Sequence, residues 1–369
     1  MSESPSPSSP SRLDEIFPGG VRRYIVPGIF VLLCFVMLFY RRPKQTTKPA
    51  SWLLRGRIFG TTWMVKTLLP QKTKHTRKTL QAVLQKALNK VDWQMSTYKK
   101  KSELSLFNAS TSTSPVKASS ALLKVVAASQ KVTALSKGGF DVTIGPIVNA
   151  WGFGPSKRLK PPKKDVLDTA KKRVGSSKLI LDAKAGTLRK TIPSLYVDLS
   201  AIAKGYGVDV LAETLAKSGF SNYMVEIGGE VRARGKNDRG IAWRIGVEKP
   251  TGGLGQQVQL VIPLRDAAMA TSGNYRNYIL VNGRRVSHLI DARSASPVAH
   301  NLSSVTVVHK HCMMADALAT ALFVLGPDEG LKLATQKKWA VLFLVPEGKT
   351  FVRKASPAFQ ALLKTAQQP

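Results

Sequence analysis

The order of the predicted strands and helices is the feature that most constrains the fold of this chain. Beyond residue 240, short segments alternate between apolar and polar residues, as half-buried strands do. The predicted strands are Trp243–Glu248, Gln257–Pro263, Arg276–Val281, Arg285–Ile290 and Ser303–Val308. They are followed by two predicted helices, Asp316–Leu325 and Glu329–Lys337, and by a last strand, Ala340–Val345. Because consecutive strands with irregularly placed helices do not suit a doubly wound parallel sheet, the pattern predicts an α+β fold.

The first half of the chain also mixes both kinds of element. Apolar residues recur at helical spacing in three segments, which predicts helices at Thr76–Val91, Ser120–Gly138 and Ile202–Lys217. Strands are predicted at Ile58–Leu68, Ser194–Ser200 and Tyr223–Ile227. The segment Phe140–Pro155 is too rich in Gly and Pro for regular structure and too apolar for an ordinary surface loop. It is therefore expected to pack against another part of the protein or against a ligand.

The amino terminus predicts a membrane anchor behind a disordered tail. Residues 1–20 are rich in Ser and Pro and have no hydrophobic periodicity. The run Tyr24–Tyr40 is uncharged and apolar, with a tyrosine at each end and two arginines on each side, which is typical of a short spanning helix. A cleaved signal peptide is the rival interpretation, although no A-x-A site follows the run. A buried core helix is the other alternative.

Five segments are predicted along the chain. They are a disordered tail (1–20), a transmembrane anchor (21–42), a basic linker (43–56), a single domain of mixed strands and helices (57–356) and a C-terminal tail (357–369). The chain has two cysteines, Cys34 and Cys312, and no CxxC motif, so neither a disulfide framework nor a structural zinc site is expected.

The net charge of +34 indicates basic surfaces. The charge is concentrated in Arg41–Lys78 and Lys157–Arg173. Such runs are usually solvated faces, and attraction to anionic lipid or to an acidic protein is the alternative. No nucleic-acid partner is expected, because the sequence shows no helix-turn-helix, zinc finger or RNP-like aromatic pattern.

Two segments together predict a site for a hard cation. Val197–Asp209 (VDLSAIAKGYGVD) is expected to run from a strand through small residues into a helix, behind Lys204 and a glycine. In Ala315–Leu322, Asp316 and Thr320 are four residues apart and so share one helical face. A carboxylate, a hydroxyl and a loop carbonyl are the oxygen ligands that Mg²⁺ prefers. This pattern predicts a site that handles phosphate groups without histidine or cysteine ligands.

Each of these motifs also has a purely structural interpretation. Asp316 could cap the first turn of its helix. His288, which stands between apolar residues, could be a core residue or a general base with a pKa near neutral pH. His309, His311 and Cys312 resemble metal ligands but have no partner pair in the sequence. Gly228-Gly229 follows a strand without the GxGxxG spacing, so a tight hairpin is predicted there rather than a dinucleotide site.

Eight segments, in order, resemble the ApbE family of FAD:protein FMN transferases, over about residues 57–356. The segments are GTTWMV from Gly60, STYKKKSELSLFN from Ser96, GGFDVTIGPIVNAWGFGP from Gly138, VDLSAIAKGYGVD from Val197, VEIGGEVRARG from Val225, ATSGNYRNY from Ala270, SHLIDARSASPVAHNLSSVTVV from Ser287 and ADALATALFVLG from Ala315. The resemblance implies an α+β fold and transfer of FMN from FAD to a threonine of an acceptor flavoprotein, with release of AMP and with help from Mg²⁺.

The resemblance also implies roles for individual residues. His288 matches the catalytic histidine. The metal ligands would be the carbonyl of Ala201 and the side chains of Asp316 and Thr320, with Ala319 beside them. Position 319 is an acid in some members, so water or a backbone oxygen is expected to replace that ligand here. The FAD contacts would come from Phe59, Tyr98, Gly139, Phe140, Asp141, Asp198, Lys204 and Ile290.

Two functions besides transfer remain open from the sequence. Water could replace the threonine, which would make the chain a metal-dependent FAD pyrophosphatase that releases free FMN. The chain could also bind flavin without catalysis. The location is a separate question, because the Lys and Arg count after the anchor places the body in the cytoplasm. Most bacterial relatives act outside the inner membrane, and the resemblance implies a single-pass inner-membrane protein with a periplasmic catalytic domain.

Overall fold

The structure of the chain is a computed structural model that describes residues 19–40, 49–154, 161–250, 257–275, 278–281, 284–348 and 350–367. It falls into two units, residues 1–48 and residues 49–369. The helices are α1 (Gly19–Tyr40), α2 (Arg77–Met95), α3 (Glu103–Ala109), α4 (Ser120–Leu135), α5 (Gly145–Ala150), α6 (Lys164–Lys172), α7 (Ala203–Lys217), α8 (Cys312–Gln336) and α9 (Pro357–Gln367).

The strands are β1 (Ser51–Ile58), β2 (Thr61–Leu68), β3 (Val116–Lys117), β4 (Leu179–Asp182), β5 (Thr187–Lys190), β6 (Tyr223–Ile227), β7 (Glu230–Arg234), β8 (Trp243–Glu248), β9 (Val258–Leu264), β10 (Ala267–Gly273), β11 (Tyr278–Val281), β12 (Arg284–Ser287), β13 (Ile290–Asp291), β14 (Ser296–Pro297), β15 (Ser304–His309), β16 (Ala340–Glu347) and β17 (Thr350–Ala355). The predicted mixture of helices and strands is therefore confirmed.

An eight-stranded antiparallel sheet forms the centre of the second unit. Its strand order is β1-β2-β6-β7-β10-β15-β16-β17. Helices α7 and α8 pack against each other and against the middle strands β7 and β10. Apolar residues of α8 such as Leu318, Leu322 and Phe323 are buried. Because α7 and α8 lie side by side on the sheet, the two segments that predict the cation site are brought together.

Local sequence explains how α2 begins. Thr76 and Thr79 form a capping box, in which each side chain accepts a hydrogen bond from the other residue's backbone N–H. Leu80, Leu84 and Leu88 then lie fully buried at helical spacing. The predicted helix at Thr76–Val91 is thus confirmed, and it continues to Met95.

Several sequence predictions need correction. The segment Ile58–Leu68 is the end of β1 and all of β2, joined by a turn at Phe59 and Gly60, both of which have positive φ. The segment Ser194–Ser200, predicted as a strand, has no regular structure and pairs with no strand in the described residues. Its residues alternate between buried and more exposed as in a strand, which explains the wrong prediction. The backbone of Val197 bonds to the side chain of Asn108 and not to a strand: the Val197 N–H donates to Oδ1 at 2.8 Å, and the Val197 carbonyl accepts from Nδ2 at 2.8 Å.

The predicted linker and C-terminal tail also contain regular structure. Within the expected linker 43–56, β1 begins at Ser51, and its basic Arg55 and Arg57 lie on the face opposite the buried Leu54 and Ile58. Residues 357–367 of the expected tail form α9, whose Phe359 is fully buried. In both segments the buried apolar residues are interspersed with exposed charged or small residues, so the apolar pattern was too weak to predict regular structure.

At the amino terminus, residues 1–18 and 41–48, which include most of the predicted disordered tail, lie outside the described residues. Residues 19–40 form α1. Among the residues whose placement is described, no helix combines the length and apolarity needed to cross a membrane.

Candidate active site

A cavity of about 1230 Å³ opens where α7 and α8 meet the β6–β7 turn, strand β10 and the segment 139–154. All the site residues expected from the sequence line it except Phe59 and Ala319. The predicted residues in its wall are Tyr98, Gly139, Phe140, Asp141, Asp198, Ala201, Lys204, His288, Ile290, Asp316 and Thr320. Residues 140–154 of the apolar segment include α5, so the expectation that it lacks regular structure was wrong. They pack into the core through Phe140 and Val142 and also line the cavity.

Two of the expected site residues, Phe59 and Ala319, lie outside this lining. Phe59 turns into the apolar core, where its ring packs against Gly207 of α7; a Cβ at Gly207 would lie 2.8 Å from the ring. Ala319 is fully buried among the apolar residues of α8 and the sheet. Ala319 lies one position, about 100° around the helix, from Thr320, so its side chain points to the core instead of the cavity.

A close approach of two helices positions Asp316. Gly205, in the first turn of α7, donates from its N–H to Oδ2 of Asp316 at 2.9 Å. A Cβ at Gly205 would lie 2.7 Å from the Cβ of Asp316 and would also collide with the backbone of Cys312. Only glycine therefore allows α7 and α8 to approach closely enough for this hydrogen bond.

We expect Gly205→Ala to damage this junction although alanine is the better helix former. The colliding atoms include backbone, so the helices must separate, and overpacking of this kind typically costs about 1–3 kcal/mol. The substitution should lower both the melting temperature and any catalytic rate that depends on this cavity, since it displaces the Asp316 carboxylate. Thermal denaturation and steady-state kinetics measure the two effects, and unchanged values for both would show that the junction tolerates a methyl group.

The beginning of α8 is held by a residue that sequence reasoning missed. Asp209 of α7 accepts hydrogen bonds from the N–H groups of Cys312 and Met313, both at 3.0 Å, and from Nη1 of Arg232 at 2.6 Å. It thus satisfies free donors at the helix N-terminus. Asp316 lies beyond the first turn, which has no acidic residue. The interpretation of Asp316 as a helix cap is therefore wrong, and that role belongs to Asp209.

Asp316 and Thr320 present oxygen atoms to the cavity from one face of α8. Asp316 is only 4% exposed, and its burial raises the pKa of its carboxyl, although the Lys204 ammonium and the Gly205 hydrogen bond oppose this rise. The Thr320 hydroxyl shares a hydrogen bond of 3.0 Å with the hydroxyl of Ser272 on β10. A buried carboxylate beside hydroxyl oxygens fits a small divalent cation, because Mg²⁺ is usually held by one or two carboxylates together with substrate phosphates.

An ion pair between the partly exposed Lys204 and the buried Glu230 lies beside them. Nζ of Lys204 is 2.7 Å from Oε1 of Glu230, at the start of β7. Burial raises the pKa of Glu230 to about 8, with the charge of Asp316 adding to the rise and that of Lys204 opposing it. Glu230 was not predicted as a site residue. The available signal was a single acid directly after the Gly228-Gly229 hairpin, and that hairpin is confirmed by the β6–β7 pairing.

The remaining predicted FAD contacts differ in their exposure and in their partners. Tyr98 is 73% exposed at the edge of the cavity, where its ring is free to stack on a planar ligand. Asp141 and Asp198 also stabilise the cavity loops: Asp141 accepts from the N–H groups of Thr143 and Ser176, and Asp198 accepts from that of Ser200, all at 2.8 Å. Ile290 is buried in the apolar wall.

His288 lies in the cavity wall and is partly buried, with its ring 6.3 Å from that of Phe153 in an edge-on arrangement. It is therefore not enclosed in the apolar core. His309 and His311 interact with each other outside the cavity lining, through a hydrogen bond of 3.0 Å. Within the described ranges, no group of three or more His, Cys, Asp or Glu side chains could hold a metal ion.

Comparisons with known proteins agree with this geometry. The model of the ApbE family matches residues 59–343. The FAD:protein FMN transferase of Haemophilus influenzae is 43% identical over 328 residues, covering 88% of this chain and 94% of the relative. The corresponding protein of Vibrio cholerae is 44% identical over 318 residues, covering 86% and 94%.

A solved structure shows the same fold. The flavin transferase ApbE from Vibrio cholerae superposes with a TM-score of 0.78 at 42% identity and covers 85% of this chain and 99% of its own. The family model spans more than half of the sequence, and the relatives match over nearly their whole length. The chain therefore belongs to the ApbE family.

Proposed function

We propose that this chain transfers FMN from FAD to a threonine hydroxyl of an acceptor flavoprotein and releases AMP. The observation that carries the proposal is the meeting of α7 and α8, which puts Lys204, Asp316 and Thr320 into one cavity with His288. The names of the relatives, FAD:protein FMN transferase and flavin transferase, support the same activity.

The proposed reaction is a displacement at the FMN phosphorus. The threonine oxygen forms a new bond to this phosphorus, and the bond from phosphorus to the bridging oxygen of the pyrophosphate breaks. AMP leaves with the bridging oxygen, and the hydroxyl proton passes to a ring nitrogen of His288. Lys204 stabilises the negative charge on the phosphates, since this type of transfer depends mainly on positioning and charge neutralisation.

We propose Mg²⁺ as the cofactor. Asp316, Thr320 and the carbonyl of Ala201 would hold it, and these oxygen atoms match the ligands that this ion prefers. When bound, the ion neutralises the pyrophosphate and the charge that develops on the leaving AMP. The other groups of the cavity bind and orient the substrate: Tyr98 would stack on a ring of FAD, and Gly139, Phe140 and Ile290 would form an apolar wall beside it.

The products of FAD turnover test this proposal and separate it from hydrolysis. Purified protein is incubated with FAD and Mg²⁺, with and without an acceptor that carries a flavinylation motif, and the soluble products are separated by chromatography. We expect AMP to appear in an amount equal to the flavin bound to the acceptor. Release of free FMN in an amount equal to AMP, whether or not the acceptor is present, would identify a pyrophosphatase instead.

We also propose that α1 anchors the protein in the inner membrane, with the catalytic domain in the periplasm. The support is the apolar surface of α1, on which Phe30, Leu32 and Phe35 are each more than half exposed. Surface of this kind on a helix is suited to lipid. A reporter that is active only outside the cytoplasm, fused to the carboxyl terminus, should give a signal; activity of a cytoplasmic reporter alone would contradict the periplasmic location.

Deletion of residues 1–48 should give a protein that remains in solution without detergent and keeps the full turnover of FAD. The reason is that the second unit begins at Pro49 and contains the whole cavity lining. Sedimentation after cell lysis and steady-state kinetics measure the two properties. A truncated protein that still sediments with membranes would argue against the anchor, whereas loss of turnover in a folded truncated protein would show that the first unit contributes to the site.

A further inference from the structure

Glu230 has a carboxylate oxygen that the fold leaves without a partner. The side chain is 3% exposed, and Oε1 accepts from Lys204. Its other oxygen, Oε2, is buried and has no hydrogen-bond partner within the described part of the chain. Buried carboxylate oxygens are normally satisfied, so an unsatisfied one in a cavity wall points to a ligand.

The position of Glu230 relates it to the proposed cation site. Lys204 contacts Glu230, and the next residue along α7, Gly205, donates to Asp316. Both carboxylates line the same cavity, and the charge of Asp316 acts on the carboxyl group of Glu230. When both carboxylates are charged, the single ammonium group of Lys204 does not neutralise them, so a second cation in this part of the cavity would stabilise their charged forms.

Pairing with Lys204 alone does not explain the positions of both carboxylate oxygens of Glu230. One oxygen is sufficient to hold the ammonium group, and that contact is already made by Oε1. A carboxylate at the start of β7 that served only as an ion-pair partner would leave Oε2 desolvated without compensation. A cation at Oε2 supplies the compensation.

We propose that Glu230 is a second carboxylate ligand of the divalent cation that Asp316 and Thr320 hold. The inference rests on the proposed function, which requires that cation, and adds a ligand from the β6–β7 hairpin to those from α7 and α8. Glu230 is the first residue of β7, directly after the Gly228-Gly229 turn, so the β6–β7 hairpin would take part directly in cation binding.

Equilibrium binding of Mn²⁺, followed by the electron paramagnetic resonance of the free ion, tests the proposal without turnover. Mn²⁺ prefers the same oxygen ligands as Mg²⁺. The protein is titrated with Mn²⁺ alone and with Mn²⁺ in the presence of FAD. Glu230→Gln keeps the shape of the side chain and an acceptor for Lys204 but removes the charge. We expect it to weaken Mn²⁺ binding at least 10-fold, because even groups that only orient ligands typically contribute about 10–100-fold.

Asp92→Asn is the matched control. Asp92 is also a largely buried acid paired with a lysine, since its Oδ2 lies 2.6 Å from Nζ of Lys99, but it does not line the cavity. This variant should bind Mn²⁺ as the wild type does. Lys204→Met is the complementary variant, and it should bind Mn²⁺ at least as tightly as the wild type, because the ammonium that competes for Glu230 is gone. It also serves if Glu230→Gln fails to fold.

Asp316→Asn separates the failure of this inference from the failure of the proposed function. If Asp316→Asn loses Mn²⁺ binding while Glu230→Gln retains wild-type affinity, the cation site stands and Glu230 is only the partner of Lys204. If neither substitution changes Mn²⁺ binding, the cation is not held in this cavity and both proposals are overturned. Weaker binding by Lys204→Met than by the wild type would also contradict the role of Glu230.

Discussion

Asp316→Asn is expected to abolish cation-dependent turnover of FAD and to leave the protein folded. Asparagine has nearly the same shape and can still accept the hydrogen bond from the N–H of Gly205, which lies 2.9 Å from Oδ2 in the wild type. It lacks the negative charge that a divalent cation requires. Since a bound metal ion contributes several kcal/mol to this kind of catalysis, the rate should fall by roughly 10³-fold or more.

The measurement is the rate of AMP release as a function of Mg²⁺ concentration, with the melting temperature as a control for folding. The melting temperature should not fall, because burial raises the pKa of Asp316 and the neutral side chain avoids the desolvation of a charge. If folded Asp316→Asn protein turned over FAD at the wild-type rate with Mg²⁺, the cation would have to be held elsewhere. A large loss of stability with little loss of rate would indicate a structural role.

His288→Asn is expected to bind FAD nearly as well as the wild type and to transfer FMN about 10²–10⁴-fold more slowly, the usual contribution of a general base. The position of His288 in the cavity wall allows it to reach an incoming hydroxyl, and its ring contact with Phe153 limits the orientations it can adopt. Asparagine is smaller and cannot take up the proton.

FAD affinity and single-turnover transfer, measured separately, distinguish a base from a structural residue. The slow reaction of His288→Asn should gain from raised pH, as hydroxide takes over part of the role of the missing base. Equal losses of stability and of FAD affinity, without a specific effect on transfer, would identify His288 as a packing residue. Wild-type transfer by the folded variant would exclude the catalytic role.

The sequence predicted the parts of the site that depend on local spacing. Asp316 and Thr320 share a cavity wall because residues four apart share a helical face, and this relation holds wherever the helix packs. Lys204 is similarly close to the start of its helix, and the hairpin at Gly228-Gly229 follows from two glycines between consecutive strand-like segments. In each case the relevant contacts lie within one element or between two consecutive elements.

The parts that escaped prediction depend on contacts between distant segments. Glu230 stands in a strand with alternating polar residues, where an acid usually faces water, and only the packing of β7 under α7 reveals that it is buried. Asp209 caps a helix that begins 103 residues later in the chain. The burial of the segment Ser194–Ser200 alternates as in a strand, but the backbone of its Val197 bonds to the side chain of Asn108, which nothing near it in sequence indicates.

The most direct test of the proposed transfer is the intact mass of an acceptor protein. The acceptor, carrying a flavinylation motif, is incubated with FAD, Mg²⁺ and the chain truncated to residues 49–369, and a second acceptor has the target threonine replaced by alanine. The proposed function predicts that the first acceptor gains the mass of one FMN less one water molecule, while the alanine acceptor is unchanged. An unmodified threonine acceptor, in a reaction where FAD has been converted to free FMN and AMP, would contradict it.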